Sequence, residues 1–157
     1  MIGSWSDFRG DERGNMAILF AFGFVVSALV SAVAVDAAAL YHERRLLQAG
    51  VDLAAISAVT DPARAAEIAQ SVLAGARLLA PAGTEGLTVI TGHYDGDRPD
   101  IATRFTPGGL PANAVSVTLE RPGRLHFAAS FVPVPALRAT GIAMVSPLVS
   151  FSLGSRL

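Results

Sequence analysis

The sequence predicts an α+β protein built from one long N-terminal transmembrane helix extended beyond the bilayer, a second helix, and a small antiparallel β-sheet domain. Three observations predict it. Residues 14–35 carry no charge, residues 36–59 contain no proline and a single glycine among strong helix formers, and beyond Gly86 apolar residues recur at every second position. The expected segmentation is a leader over 1–13, the spanning helix and its extension over 14–59, a second helix and connector over 60–84, and a β-rich domain over 85–157.

Composition supports the membrane segment. Hydrophobic residues make up 52% of the 157 and charged residues only 16%, against about a quarter in an ordinary soluble chain, and mean hydropathy is +0.48. Thirteen acidic and twelve basic residues leave a net charge of -1, which provides no basic face for phosphates. Nucleic acid is thereby set aside as a partner. There is no cysteine, so disulfides, thiol catalysis and Cys-type metal sites are excluded. All twelve basic residues are arginine, which rules out Schiff-base and P-loop lysine chemistry.

The uncharged run, at ~1.5 Å per residue, gives a helix of roughly 33 Å against a hydrocarbon core of about 30 Å. A single span is the economical reading. A buried helix of a globular protein would need the short remainder of the chain to wrap it on every side. A cleaved signal peptide is the stronger rival, because Ala32-Val33-Ala34 has the small-x-small form of a cleavage site. The run nevertheless exceeds the usual ~7–15 residues of a signal peptide, and the leader carries Asp7, Asp11 and Glu12 beside Arg9 and Arg13.

Charge does not orient the span, since Arg9 and Arg13 before it balance Arg44 and Arg45 after it. The short leader is expected to stay in the cytoplasm while the larger C-terminal part is translocated. Trp5 and Phe8 on one side and Tyr41 on the other suit the headgroup level or ordinary exposure. Arg13 and Asp36 are the expected membrane boundaries, because drawing either charge into lipid costs several kcal/mol.

Past Asp36, Leu40, Leu47, Val51, Ala54 and Ala58 repeat at helical spacings and form a narrow apolar stripe suited to packing against another helix. Gln48 and Asp52, one turn apart, share a face and are placed to hydrogen-bond a partner helix or the soluble domain's backbone. The expected partner-helix contacts are therefore Leu40, Leu47, Gln48, Val51 and Asp52. His42 and Glu43 read as solvated residues rather than ligands.

Thr60-Asp61-Pro62 is a helix start, and the second helix is expected to run to about Leu79 with Ile68, Val72 and Ala76 on one face, ended by Pro81 and Gly83. Residues 87–91 read as a strand. Val115, Val117 and Leu119 alternate with polar neighbours, as do Leu125, Phe127, Ala129 and Phe131, and Arg121-Pro122-Gly123-Arg124 between them suits a turn. A hairpin of these two strands is expected, with further strands over 139–145 and 148–153.

The irregular stretch 92–111 is the natural place to seek a site. Asp95, Asp97 and Asp100 gather there, but Pro99 breaks the alternation of a calcium loop, and a solvated polar turn is the expected outcome. No histidine pair has zinc-ligand spacing, and no nucleophile, Walker or dinucleotide motif is present. No catalytic residue, cofactor or metal is expected, and the chain is not read as an enzyme.

One constellation is more specific than any of these parts. Arg13-Gly14-Asn15-Met16-Ala17, Ala34-Val35-Asp36, Tyr41, Arg44-Arg45-Leu46-Leu47-Gln48 and Val51-Asp52-Leu53-Ala54-Ala55 follow one another over residues 8–58 in an order that resembles the N-terminal module of TadE/TadG-like proteins of Tad (Flp) pilus assembly. Gly92-His93-Tyr94-Asp95 and the strand opening at Asn113 are similar to TadG in outline. The resemblance implies a pilin-like architecture, a minor pilin-like or assembly role in pilus biogenesis and adherence, other Tad proteins or pilins as partners in a helix-mediated hetero-oligomer, and residence in the bacterial cytoplasmic membrane. Two departures limit it. Leu19 stands where pilin precursors carry a glutamate five residues after the cleavage-site glycine, and the Asp-x-Ser-x-Ser adhesion metal motif of long TadG proteins is missing. A secreted, signal-peptide-cleaved β-rich binding module is the alternative.

Overall fold

A computed structural model describes residues 12–79 and 84–146, with side chains described from residue 15 onward. The architecture is α+β: a long apolar helix α1 (Glu12–Ala58), a second helix α2 (Ala65–Gly75), and strands β1 (Leu87–Tyr94), β2 (Phe105–Pro107), β3 (Ala114–Pro122) and β4 (Ala136–Met144). Two compact units divide the chain. The first joins Met1–Tyr41 to Arg124–Val134, and the second joins His42–Gly123 to Pro135–Leu157.

In the first unit α1 shows its apolar side chains to the surroundings on every side. Phe20 and Phe24 are among them, and of residues 15–35 Ala32 alone is half-buried. A helix that is apolar all round without a protein core to enter is matched to lipid, and α1 is long and apolar enough to cross a membrane. A single-pass anchor fits this helix.

In the second unit α1 becomes one-sided. Leu47, Val51, Ala54 and Ala58 are buried, and the helix ends where Thr60 donates its hydroxyl to the Ser57 carbonyl at 2.7 Å. Asp61 is extended (φ -142°, ψ 88°), as a residue before proline prefers, and Pro62 opens a 3-10 turn that leads into α2. The buried face of α2 is Ala65, Ala69 and Leu73, with Ile68 and Val72 on its flank and Ala76 exposed, so the face is rotated by about one position from the expected one. The helix also stops earlier than the expected Leu79. Arg77 adopts φ 57°, and the Leu78 N–H returns to the Leu73 carbonyl at 2.9 Å. This sends buried Leu78 over Gly50 of α1, where a methyl group on that glycine would strike the Leu78 side chain.

The sheet is wholly antiparallel, in the order β2-β1-β3-β4. Register aligns Leu87, Leu119 and Ala139 across three strands, and Val89, Val117 and Gly141 in the next row of the same face. These rows form the core side, while Glu120 and Arg138 pair in register on the exposed side. β2 was not anticipated; it returns from the end of β1 as a short edge strand.

The expected hairpin is corrected. β3 pairs with β4, not with residues 125–131, and the ladder begins with Pro122 opposite Ala136 and a Gly123 N–H to Pro135 carbonyl bond of 2.9 Å. Residues 124–134 form a loop that contains a 3-10 turn over Ala128–Ser130. Two prolines, at 133 and 135, remove ladder donors there, and the N–H groups of residues 126–128 are bonded to Asp36. The expected strand over 148–153 lies outside the described residues, as do Trp5, Phe8, Pro81 and Gly83.

Candidate functional site: the helix and its polar anchors

Two polar anchors stand out on α1 among the described residues, Asp36 in the first unit and Gln48 with Asp52 in the second. In the first, the Asp36 carboxylate takes four backbone bonds. Oδ1 accepts from the His126 N–H at 2.7 Å and the Phe127 N–H at 3.2 Å, and Oδ2 accepts from the Ala128 N–H at 2.7 Å and Phe127 again at 3.2 Å. The Phe127 and Ala128 donors are free because they begin the 3-10 turn, whose first N–H groups have no partner within it. Asp36 is only 4% exposed. Burial opposes its ionisation, but the bonds from Ala128, His126 and Phe127, with the nearby His126 ring, outweigh it, and the carboxyl titrates below the usual aspartate value.

The second anchor joins α1 to β4. Gln48 Nε2 donates to Asp52 Oδ1 at 2.9 Å and to the Thr140 carbonyl at 3.0 Å. Asp52 thereby fixes the rotamer of Gln48, and Gln48 reaches the sheet. The helix comes close enough for this because β4 has glycine at 141: a Cβ there would lie 2.9 Å from the Val51 carbonyl oxygen and 2.7 Å from Asp52 Oδ1.

The positions singled out in the sequence divide between these anchors. Asp36 sits in the first, whereas Arg13 lies in the first turn of α1 with its side chain outside the description. Leu40 is half-buried in the first unit, Leu47 and Val51 are fully buried in the second, and Gln48 with Asp52 bonds the domain's own backbone. On the opposite face of α1, Leu46, Leu53 and Ile56 are exposed, with Ala49 between them. Their spacings of three, four and three make a narrow seam for a second helix.

The 95–104 turn is occupied by its own backbone. Asp95 accepts from the Asp97 N–H and from Arg98 Nε, Asp100 accepts from the Ala102 N–H, and Arg98 also donates to the Thr103 carbonyl. Among the described residues no three His, Cys, Asp or Glu side chains group together. Two contributors escaped sequence reasoning. Asn113 pairs both its amide atoms with the Tyr94 backbone, at 2.7 and 3.1 Å, and closes the sheet end like an extra ladder rung. The 126–128 backbone carries no side-chain signal at all; a carboxylate at the edge of an apolar run was its one indirect sign.

Comparison with known families gives two matches that overlap over residues 48–66, the end of α1 and the turn into α2. A family described as Tad-like Flp pilus-assembly matches residues 48–143, and one described as Flp pilus-assembly TadE/G-like matches residues 14–66. No curated protein and no solved structure matches the chain significantly.

Proposed function

The chain belongs to the TadE/TadG-like family of Flp pilus assembly, and on that premise we propose that it is a membrane-anchored, minor pilin-like assembly component that works through helix contacts and carries no catalytic centre. The observation that carries this reading is the change in α1 along its length, from exposed on all faces before Asp36 to one-sided after His42. Residues 14–35 occupy the cytoplasmic membrane, the leader faces the cytoplasm, and the α+β unit stands on the outer side, where it contributes to surface adherence.

The face offered to other pilus components is the seam of Leu46, Ala49, Leu53 and Ile56. Leu47 and Val51 are taken up by the unit's own core, which leaves the opposite side of the helix for a partner.

Replacing Leu53→Glu together with Ile56→Glu tests this in cells that make the pilus. Both side chains are exposed, so thermal unfolding of the purified domain should be nearly unchanged while co-purification with pilus components and piliation are lost. Retained co-purification sinks the contact face, and intact piliation after deletion of the whole protein sinks the assembly role. Protease access to the C-terminal unit in spheroplasts, without access in intact inverted vesicles, checks the orientation. A secreted form cut after Ala34 is disfavoured because Asp36 would then sit at a frayed N-terminus, unable to hold the 126–128 backbone.

A further inference from the structure

We propose that the Arg124–Val134 loop is a second membrane contact, an apolar loop that enters the headgroup and upper acyl region beside the span. It rests on the reading of residues 14–35 as a membrane span. The occupant is lipid, and the argument begins with where Asp36 holds the loop. Asp36 is the first charge after the uncharged run, and helical side chains tilt toward the helix N-terminus, so its carboxylate reaches back over the preceding turn. Ala32, one turn earlier on the same face, is the single half-buried residue among 15–35. Ala39 and Leu40, one turn later, are half-buried as well, so the loop backbone at 126–128 is held across the end of the apolar run.

At that level the loop displays grease. Phe131 is 88% exposed and Phe127 56%, with Val132 and Val134 also exposed. The segment Arg124-Leu125-His126-Phe127-Ala128-Ala129-Ser130-Phe131-Val132-Pro133-Val134 contains no carboxylate, so an anionic headgroup layer does not repel it. An apolar surface continuous with a lipid-facing helix is a membrane surface rather than a free aqueous one. Part of its backbone is already paired, which lowers the cost of leaving water: Asp36 accepts the N–H groups of residues 126–128, and the Phe131 and Val132 N–H groups bond the Ala128 carbonyl.

The test uses the full chain reconstituted in phosphatidylcholine nanodiscs, on a Trp5→Phe background that removes the native tryptophan. Phe131→Trp reports the loop and Phe24→Trp the middle of the span. Interfacial depth of about 5–10 Å predicts a roughly twofold loss of Phe131→Trp emission with lipids brominated near the headgroup, and a smaller loss with lipids brominated at the chain ends. Phe24→Trp should show the reverse order. Adding Asp36→Ala should diminish quenching at 131 and leave it unchanged at 24.

Water-like emission at 131 that ignores both lipids, with Phe24→Trp still quenched, overturns the loop contact and leaves the span. A blue-shifted but unquenched signal at 131 means protein covers the loop, and also overturns it. If Phe24→Trp escapes quenching in both lipids, the span reading itself falls and takes the loop with it. Unchanged quenching at 131 after Asp36→Ala overturns the anchoring role of that carboxylate.

Discussion

Gln48 on α1 donates its side-chain amide to the carbonyl oxygen of Thr140 on β4, 92 residues later, at 3.0 Å. The same nitrogen donates to Asp52 Oδ1 at 2.9 Å. A side chain that only accepts cannot serve here. Gln48→Glu faces its carboxylate with a carbonyl oxygen and a like charge, and is expected to lower stability by about 1 kcal/mol or more. Denaturant unfolding of the detergent-solubilised protein measures it, and an unchanged midpoint would show the bond to be incidental.

Gly141 is expected to resist any side chain. The Val51 carbonyl and the Asp52 carboxylate stand within 2.9 Å of where a Cβ would lie; the carboxylate can swing aside only by giving up Gln48, and the Val51 carbonyl is backbone and cannot. Gly141→Val must push α1 away from β4, at a cost of about 1–3 kcal/mol. Thermal unfolding should show a clear drop, and proton exchange at the Gln48 side-chain amide should speed up in parallel.

Leucines on α1 and α2 should differ sharply in their sensitivity. Leu73 is wholly buried, while Leu53 is 54% exposed. Leu73→Ala is expected to cost about 2–5 kcal/mol, whereas Leu53→Ala should stay within about 0.5 kcal/mol. Equal losses at the two sites would contradict the packing assigned to the second unit.

The loop held by Asp36 should loosen in acid. Its carboxyl titrates below the unfolded value, so its contribution is complete above about pH 4 and is lost as pH falls through the lower folded value. Protection of the amides of residues 126–128 against hydrogen exchange, taken relative to the intrinsic rate at each pH, should fall over that acid range. Asp36→Asn should exchange faster at neutral pH and lose most of the acid dependence; a wild-type profile that stays flat would detach the carboxylate from the loop.

Much of this architecture was legible because it rests on local pattern. The uncharged run 14–35 and the proline-free stretch after it predict α1, Pro62 marks the start of the second helical segment, and alternation predicts β1 and β3. The same alternation misled at residues 125–131, where Leu125, Phe127, Ala129 and Phe131 read as a strand yet belong to a loop. Period two records which side chains are apolar and carries no information on where the backbone donors go.

The sequence by itself determined that a helix of membrane length leads into an α+β unit, that Asp36 marks the end of its uncharged run, and that Gln48 and Asp52 share a helical face. Only the tertiary structure decided what those polar groups bond. Asp36 finds the N–H groups of residues 126–128 and Gln48 finds the Thr140 carbonyl, both backbone atoms common to every residue type, so no side-chain pattern could announce them. Burial supplied the other decision: Leu47 and Val51 are drawn into the unit's own core while Leu46, Leu53 and Ile56 remain outside, a choice between two apolar faces of one helix that depends on where the sheet lies.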